Sequence, residues 1–139
     1  MLVRPITKEE RLQSAQLFAI AFEPPFDPND LTPFAENPCI WAAFDEESGE
    51  MMSTVYVTDY RVQFDGGRYK MGGIGGVASL PQYRRAGGIR ACFQKALPIL
   101  YREGYVFSYL YPFSTAYYRK FGYESCVQRY LAVLDLRQA

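Results

Sequence analysis

The chain has 139 residues, enough for one domain that buries roughly two-thirds of its unfolded surface. Its 49% hydrophobic and 22% charged residues are typical of a globular protein, and its formal net charge of zero argues against general nucleic-acid binding. The lack of histidine excludes Ser-His-Asp and Cys-His catalysis by this chain alone, and three isolated cysteines argue against a disulfide scaffold or a zinc site.

Charge is unevenly distributed along the chain. Residues 1–60 contain 11 of the 15 acidic side chains, whereas residues 61–139 contain 12 of the 15 basic ones. This division suggests an anionic ligand near the second half and a cationic one near the first, or two faces that neutralise each other across the fold. No apolar run approaches the roughly 20 residues of a membrane span, and the N-terminus lacks the apolar core of a signal peptide. We therefore expect a cytoplasmic protein that does not bind membranes.

The first 40 residues predict a strand, a helix and an irregular segment. The strand is expected over residues 2–6, and Thr7 followed by Glu10 forms a capping-box pattern that would start the helix. Four prolines in residues 23–37 predict a loop with a short helix, of the kind that often lines a binding cleft. Its acidic side chains could attract a cationic amine or simply be solvated; they are Glu23, Asp27, Asp30 and Glu36.

The rest of the chain predicts most of a sheet and two more helices. Strands are expected over Cys39–Phe44, Met51–Phe64 and residues 68–80, with a hairpin turn at residues 65–67. The later elements are a helix, a strand, a short helix and a final strand, over Gly88–Arg102 and residues 106–111, 114–119 and 128–136. Pro98 should kink or end the first of these helices. This order indicates a mixed α/β fold in one domain, residues 1–139, with helices on both faces of a central sheet.

The basic turn at residues 83–88 carries the strongest chemical signal. It joins a strand to the start of a helix, where backbone N–H groups lack intrahelical partners and the helix dipole favours an anion. Gly87 and Gly88 let the backbone approach a pyrophosphate closely. Positive charge for the phosphate oxygens comes from Arg84, Arg85 and Arg90. The alternative is an ordinary surface turn with solvated arginines.

Two nucleotide-binding loops can be considered and set aside. A Walker loop needs a Lys-Ser or Lys-Thr pair after its glycines, and none follows Gly87 and Gly88. Residues 73–76, Gly-Ile-Gly-Gly, resemble half of a dinucleotide fingerprint, but they lie inside a strand pattern and no helix begins there. We interpret these glycines as a bulge or a site of close approach on the strand.

Residues 84–89 resemble the Q/R-x-x-G-x-G/A pyrophosphate loop of the GNAT superfamily of N-acetyltransferases, with Arg84 and Gly87 at matching positions and Ile89 where Gly or Ala is usual. The wider segment 77–90 is similar to the enhanced-intracellular-survival (Eis-type) branch, in which a bulky aliphatic residue followed by arginine is usual. The resemblance implies a GNAT-type, mostly antiparallel sheet and acetyl-CoA as co-substrate, without a metal. The implied acetyl-CoA-binding residues are Val77, Ala78, Ser79, Arg84, Arg85, Ala86, Gly87, Gly88, Ile89 and Arg90.

A second segment, residues 118–123, is similar to the same family's Y-x-[RK]-F-G-[YF] pattern. Tyr118 matches the tyrosine, and the resemblance implies that it protonates the leaving CoA thiolate. A phenol can donate a proton to a developing thiolate if its hydroxyl lies within hydrogen-bond reach of the sulfur. The alternatives are that Tyr118 is only a core aromatic, or that its neighbour Tyr117 has the role.

The resulting expectation is an acetyl-CoA-dependent N-acetyltransferase in which a primary amine attacks directly within a ternary complex. The Eis-type resemblance implies cationic multi-amines or lysine side chains as acceptors, and it implies a general base at the C-terminal carboxylate of a much longer chain. The domain is thus complete in itself or part of a multidomain protein, and a homo-oligomer is possible. The alternatives are a non-catalytic CoA-binding regulatory or assembly domain and transfer of a longer acyl group.

Overall fold

The computed structural model describes residues 1–22, 39–128, 130, 131 and 133. The loop expected over residues 23–37, with its four acidic side chains, lies outside the described residues. So does most of the final strand expected over residues 128–136, and the four described positions within it belong to no strand. The described elements are β1 Leu2–Pro5, α1 Arg11–Phe22, β2 Cys39–Phe44, β3 Met51–Phe64, β4 Gly67–Ser79, a 3₁₀ turn Pro81–Tyr83, α2 Gly88–Arg102, β5 Tyr105–Leu110 and α3 Thr115–Arg119.

The strands form one sheet in the order β1-β2-β3-β4-β5. All neighbours are antiparallel except β4 and β5, which run parallel and are connected through α2. The mixed α/β class and the mostly antiparallel sheet predicted from the sequence are therefore confirmed. None of the helices in the described part of the chain has the length and apolarity to cross a membrane.

The β3–β4 hairpin turns at Asp65 and Gly66. Both residues have left-handed backbone angles, with φ of 46° and 75°. A two-residue turn with positive φ at both positions matches the right-handed twist of the flanking strands, which explains why Asp-Gly occurs here. The hairpin aligns two long strands, and β4 carries the expected cofactor-binding residues at its far end.

Helices cover both faces of the sheet, as predicted. On one side, called the α1 face, Leu17 of α1 packs with a group of buried sheet residues: Ala42, Phe44, Met51 and Ala78. On the other side, called the α2 face, Phe93 and Cys92 of α2 are 1% and 0% exposed. They pack against Trp41, Val55, Val57 and Ile74 of the sheet and against Tyr118 of α3. Side chains of successive strand residues alternate between these two faces.

Helix α2 begins at Gly88 and ends at Arg102, as the sequence predicts, but it does not end at Pro98. The sequence predicts that Pro98 kinks or ends the helix, and the second of these outcomes is wrong. Proline removes the hydrogen bond to the Gln94 carbonyl, yet both Pro98 and Gln94 lie on the exposed side of the helix, where water can bond that carbonyl. Apolar packing of Phe93, Ala96 and Leu100 on the buried side holds the helix together.

The start of α1 uses the predicted capping residues. The Thr7 backbone N–H donates to a Glu10 carboxylate oxygen at 2.8 Å, and the regular helix begins one residue later at Arg11. Both oxygens of Glu10 also accept hydrogen bonds from the Arg4 guanidinium of β1, at 2.7 and 2.8 Å. One carboxylate thereby connects the first strand to the first helix.

Candidate functional site

Strands β4 and β5 lie side by side over only part of their length. Their last paired residues are Ile74 and Leu110, after which β5 ends and β4 continues to Ser79. Among the described residues, no strand pairs with residues 75–79 on the β5 side. Backbone N–H and C=O groups along such an edge can bind an extended ligand in the manner of an added strand.

A β-bulge lies where β4 leaves β5. Between the pairs Tyr56–Gly75 and Thr54–Ala78, β3 has one residue and β4 has two. Gly76 lies in the bulge with φ of 50°, and its carbonyl accepts a hydrogen bond from the Thr54 hydroxyl at 3.0 Å. A bulge bends its strand and increases the local twist, which accounts for the separation from β5. The interpretation of residues 73–76 as a bulge is confirmed.

At the start of α2, after the turn that follows β4, several backbone amides have no carbonyl partner among the described residues. Gly87 precedes the helix with φ of 87°, and Arg85 is also left-handed at 67°. The Ala91 N–H donates to the Gly87 carbonyl at 2.9 Å, so the amides of residues 88–90 have no preceding helical carbonyl to bond. The Ala86 amide differs, because it donates to the Tyr83 carbonyl at 3.2 Å.

The arginines of the turn face solvent, whereas Gly88 is buried. Arg84, Arg85 and Arg90 are exposed and lie in the turn itself and in the first turn of α2. A Cβ atom on Gly88 would lie 2.5 Å from the Ser53 hydroxyl oxygen, which is itself 2.6 Å from the Ser79 hydroxyl. The sequence favours ligand approach as the reason for a glycine at this position, but packing against the sheet already requires it.

Residues 77–79, which the resemblance implies are acetyl-CoA-binding, lie on the open edge of β4. Ala78 is buried on the α1 face, whereas Val77 packs against the core of the α2 face. Ile89, in the first turn of α2, packs against that same core. The structure therefore brings the open strand edge, the basic turn and the helix start into one continuous surface.

Tyr118 lies on α3, whose first turn is capped by Ser114. The side chain of Tyr118 is 4% exposed and packs edge-on against Phe93 and Tyr123, with ring centroids 6.3 Å away in both cases. Its hydroxyl forms no hydrogen bond with the described residues, and the residue lines a cavity of about 290 Å³ at the end of β5. Burial, with smaller contributions from Tyr117 and Tyr123, raises the pKa of Tyr118 to about 12. The phenol is therefore protonated at neutral pH and has a proton to donate.

Tyr117 lies in a different environment from Tyr118. It is half-buried against Phe113 and Phe121, and the Lys120 ammonium lies 5.6 Å from its ring centroid. Burial raises the pKa of Tyr117, and the nearby Arg90 charge partly offsets that effect. The interaction with Arg90 indicates that α3 lies beside the first turn of α2, close to the basic turn.

The structure also identifies a hydrogen-bonded pair that the sequence analysis missed. The Ser108 hydroxyl of β5 donates to the Gly72 carbonyl of β4 at 3.2 Å, so it accepts from the Tyr123 hydroxyl at 2.6 Å. Both side chains line the cavity beside Tyr118. Tyr123 belongs to the second motif, but the sequence contains no signal that its hydroxyl pairs with a strand residue 15 positions earlier.

Comparison with known proteins agrees with this geometry. The family model described as an acetyltransferase (GNAT) domain matches residues 2–126. A probable N-acyltransferase from Enterococcus faecalis V583 is 35% identical, with a TM-score of 0.80, and the match covers 88% of this chain and 32% of that one. This chain therefore spans about a third of the length of that protein. No curated protein matches the sequence.

Two more distant structures share the fold. Eis1 from Mycobacterium abscessus is 20% identical with a TM-score of 0.74, covering 88% of this chain and 31% of that one. An acetyltransferase from Trypanosoma brucei is 18% identical with a TM-score of 0.75, covering 96% of this chain and 99% of that one. Together with the family match over residues 2–126, the split between β4 and β5 and the basic turn identify this chain as a member of the GNAT acetyltransferase family.

Proposed function

We propose that this domain binds acetyl-CoA along β4 and the start of α2 and transfers the acetyl group to a primary amine. The observation that carries the proposal is that the open β4 edge at residues 77–79 continues through the basic turn to the amides of residues 88–90, which have no carbonyl partner among the described residues. An extended arm that ends in a pyrophosphate fits such a surface from end to end.

Each part of the ligand has a matching chemical environment. The amide groups of the pantetheine arm would bond the backbone of residues 77–79 as a neighbouring strand does. The pyrophosphate would lie at the start of α2, where free N–H groups and the helix dipole favour an anion. Gly87 suits this position because no described atom lies within 4 Å of the place where its Cβ would be. The exposed Arg84, Arg85 and Arg90 would contribute charge.

The proposed reaction transfers the acetyl group directly from sulfur to nitrogen. The amine nitrogen forms a bond to the thioester carbonyl carbon, and the carbon–sulfur bond breaks. The sulfur gains one proton and the amine loses one. We assign the donated proton to the Tyr118 hydroxyl, because this phenol is protonated at neutral pH, borders the cavity at the end of β5 and has no described hydrogen-bond partner. The proton lost by the amine passes to solvent or to a carboxylate.

The similarity to longer relatives bears on the acceptor. The Enterococcus faecalis relative is described as a probable N-acyltransferase, which supports nitrogen as the acceptor atom. The Eis-type resemblance of residues 77–90 supports a cationic multi-amine or a lysine side chain. A net negative charge over residues 1–60 would favour such a cation electrostatically.

The test combines calorimetric titration of the protein with acetyl-CoA and a thiol-release assay with a panel of amines. Wild-type protein should bind acetyl-CoA and release thiol with at least one amine. Gly87→Glu should weaken binding by at least about a hundredfold, because its carboxylate would occupy the pyrophosphate site. Unchanged binding by Gly87→Glu would disprove the loop assignment. Binding without thiol release from any amine would instead support a CoA-binding regulatory domain.

Gly104→Glu provides a matched control. Gly104 is also left-handed, with φ of 83°, and no described atom lies within 4 Å of its Cβ position. It follows the other end of α2, a 15-residue helix that is about 22 Å long. Gly104→Glu should therefore introduce the same backbone strain and charge while leaving acetyl-CoA affinity unchanged.

A further inference from the structure

Two of the three glycines in residues 73–76 are required by packing. A Cβ on Gly73 would lie 2.6 Å from the Tyr60 ring, and a Cβ on Gly76 would lie 2.5 Å from the Tyr56 ring. Gly76 also has a left-handed φ of 50°, which disfavours any other residue. Aromatic rings thus fill the space that side chains at these two positions would occupy.

Gly75 is not explained in this way. It is exposed, no described heavy atom lies within 4 Å of its Cβ position, and its φ is outside the left-handed region. Glycine weakens a strand, because it has more conformational freedom to lose and no side chain to pack. Neither the backbone nor the described neighbours therefore require glycine at this position. It is, however, the first residue of β4 beyond the last pair with β5.

The position of Gly75 relative to the two faces is informative. Ile74 packs into the core of the α2 face, so Gly75 faces the α1 side. Tyr118 and the first turn of α2 belong to the α2 face, where the helices fill the space over the sheet. A thioester lying between β4 and β5 would have the proton donor on one side. An amine would reach the carbonyl carbon of the thioester most directly from the α1 side of the sheet, by passing over Gly75.

We propose that Gly75 is a specificity-determining residue for the acceptor amine. Its backbone, without a side chain, forms the surface over which the amine approaches the thioester from the α1 face. Two residues earlier in β4, Gly73 lies next to Tyr60 and pairs with Tyr109, which are 50% and 40% accessible. A side chain at position 75 would stand in the path of the incoming amine and exclude bulky acceptors first. This inference rests on the proposed function and adds the side of approach and the basis of size selection.

The experiment compares wild type with Gly75→Ala and Gly75→Val, using 1,3-diaminopropane as a slender acceptor and the aminoglycoside kanamycin as a bulky, ring-bearing one. Because the Cβ position is open, both variants should fold with an unchanged or raised thermal midpoint and bind acetyl-CoA within about twofold of wild type. In Gly75→Val the KM for kanamycin should rise at least about tenfold, while the KM for the diamine changes by about twofold or less. Gly75→Ala should show a smaller change of the same kind.

Gly73→Ala provides the contrasting variant, since its new methyl group would collide with the Tyr60 ring. It should lower the thermal midpoint of unfolding, an effect that Gly75→Val should not show. Equal losses for both acceptors in Gly75→Val, or a weaker acetyl-CoA affinity, would overturn the inference and assign Gly75 to the cofactor instead. If wild type releases thiol with neither acceptor nor with any other amine, the proposed function fails and this inference fails with it. If turnover of both acceptors is the same in wild type, Gly75→Ala and Gly75→Val, this inference is wrong but the proposed function still stands.

Discussion

Tyr118 has two possible roles, proton donation and packing, and only proton donation requires its hydroxyl group. Tyr118 lines the cavity at the end of β5, and Tyr118→Phe keeps the ring that packs against Phe93 and removes only the hydroxyl. Because that hydroxyl bonds no described residue, stability and acetyl-CoA affinity should hardly change. Turnover in the thiol-release assay should fall by about a hundredfold, the typical contribution of a positioned general acid. Tyr117→Phe is the matched control, and an equal loss in that variant would contradict the assignment.

Gly88 permits a different test at the level of one residue. Gly88→Ala would place a methyl group 2.5 Å from the Ser53 hydroxyl oxygen and 3.3 Å from the Ala43 Cβ. Overpacking of this kind should lower the free energy of unfolding by about 1–3 kcal/mol, measured by urea denaturation without ligand. Adding Ser53→Gly should recover part of the loss. Wild-type stability of Gly88→Ala would show that the glycine is needed only for the ligand.

At the level of elements, the ion pair that connects β1 to α1 should stabilise the protein to an extent that depends on pH. The hydrogen bonds from Arg4 lower the pKa of Glu10 from 4.5 to about 2. A carboxylate whose pKa is lowered by folding stabilises the protein fully above its unfolded pKa, and this contribution disappears as the pH falls through the folded pKa. The pair is partly exposed, with side-chain accessibilities of 37% and 22%, so its contribution is well below the full value of the pKa shift.

Urea unfolding of wild type and Glu10→Gln at several pH values measures this contribution. Wild type should be more stable by about 1–2 kcal/mol near neutral pH, the range for a charge-assisted, two-pronged Arg–carboxylate pair. The difference should shrink below pH 4.5 and vanish near pH 2. A difference that does not vary with pH would show that the carboxylate charge contributes nothing.

The elements that the sequence predicted best are those whose signals are local. Helix α2 was predicted with both ends correct, because the glycine turn and an apolar stripe define it. The Asp-Gly turn likewise identified the β3–β4 hairpin, and the bounds of the described strands agree with the prediction to within one residue. The sequence could not decide between a kink and a helix end at Pro98, because the effect of a proline depends on which side of the helix faces solvent. That side is set by packing against the sheet and is not visible in the residue itself.

The candidate site shows the same division between local and distant information. The basic turn and Tyr118 could be identified as candidates from the sequence, because each belongs to a motif of only six consecutive residues. The distinct roles of Gly73, Gly75 and Gly76 could not be identified in this way, since they depend on whether an aromatic ring of the neighbouring strand β3 fills the space at each position. The same holds for the bond between Ser108 and Tyr123, which requires α3 and its following turn to return to β5.

For the molecule as a whole, the basic residues of the second half should make ligand binding sensitive to salt. The phosphates of acetyl-CoA would meet Arg84, Arg85 and Arg90 at an exposed surface, where ions screen charge effectively. Raising NaCl from about 0.05 to 0.5 M should weaken the affinity for acetyl-CoA by about tenfold in calorimetric titrations. S-acetylpantetheine, which lacks phosphate, should bind with little dependence on salt. Equal salt dependence for the two ligands would contradict the arginine assignment.

Cys92 is buried in the core of the α2 face, so the reactivity of its thiol can report when the contact between α2 and the sheet opens. This thiol is 0% exposed, and burial raises its pKa to about 12, whereas Cys39 and Cys126 are exposed. A thiol reagent should modify the two exposed cysteines quickly and Cys92 only when the contact between α2 and the sheet is broken. The rate at which the third thiol reacts would thus follow the opening of the core, and its slowing by acetyl-CoA would measure binding without any chemical turnover.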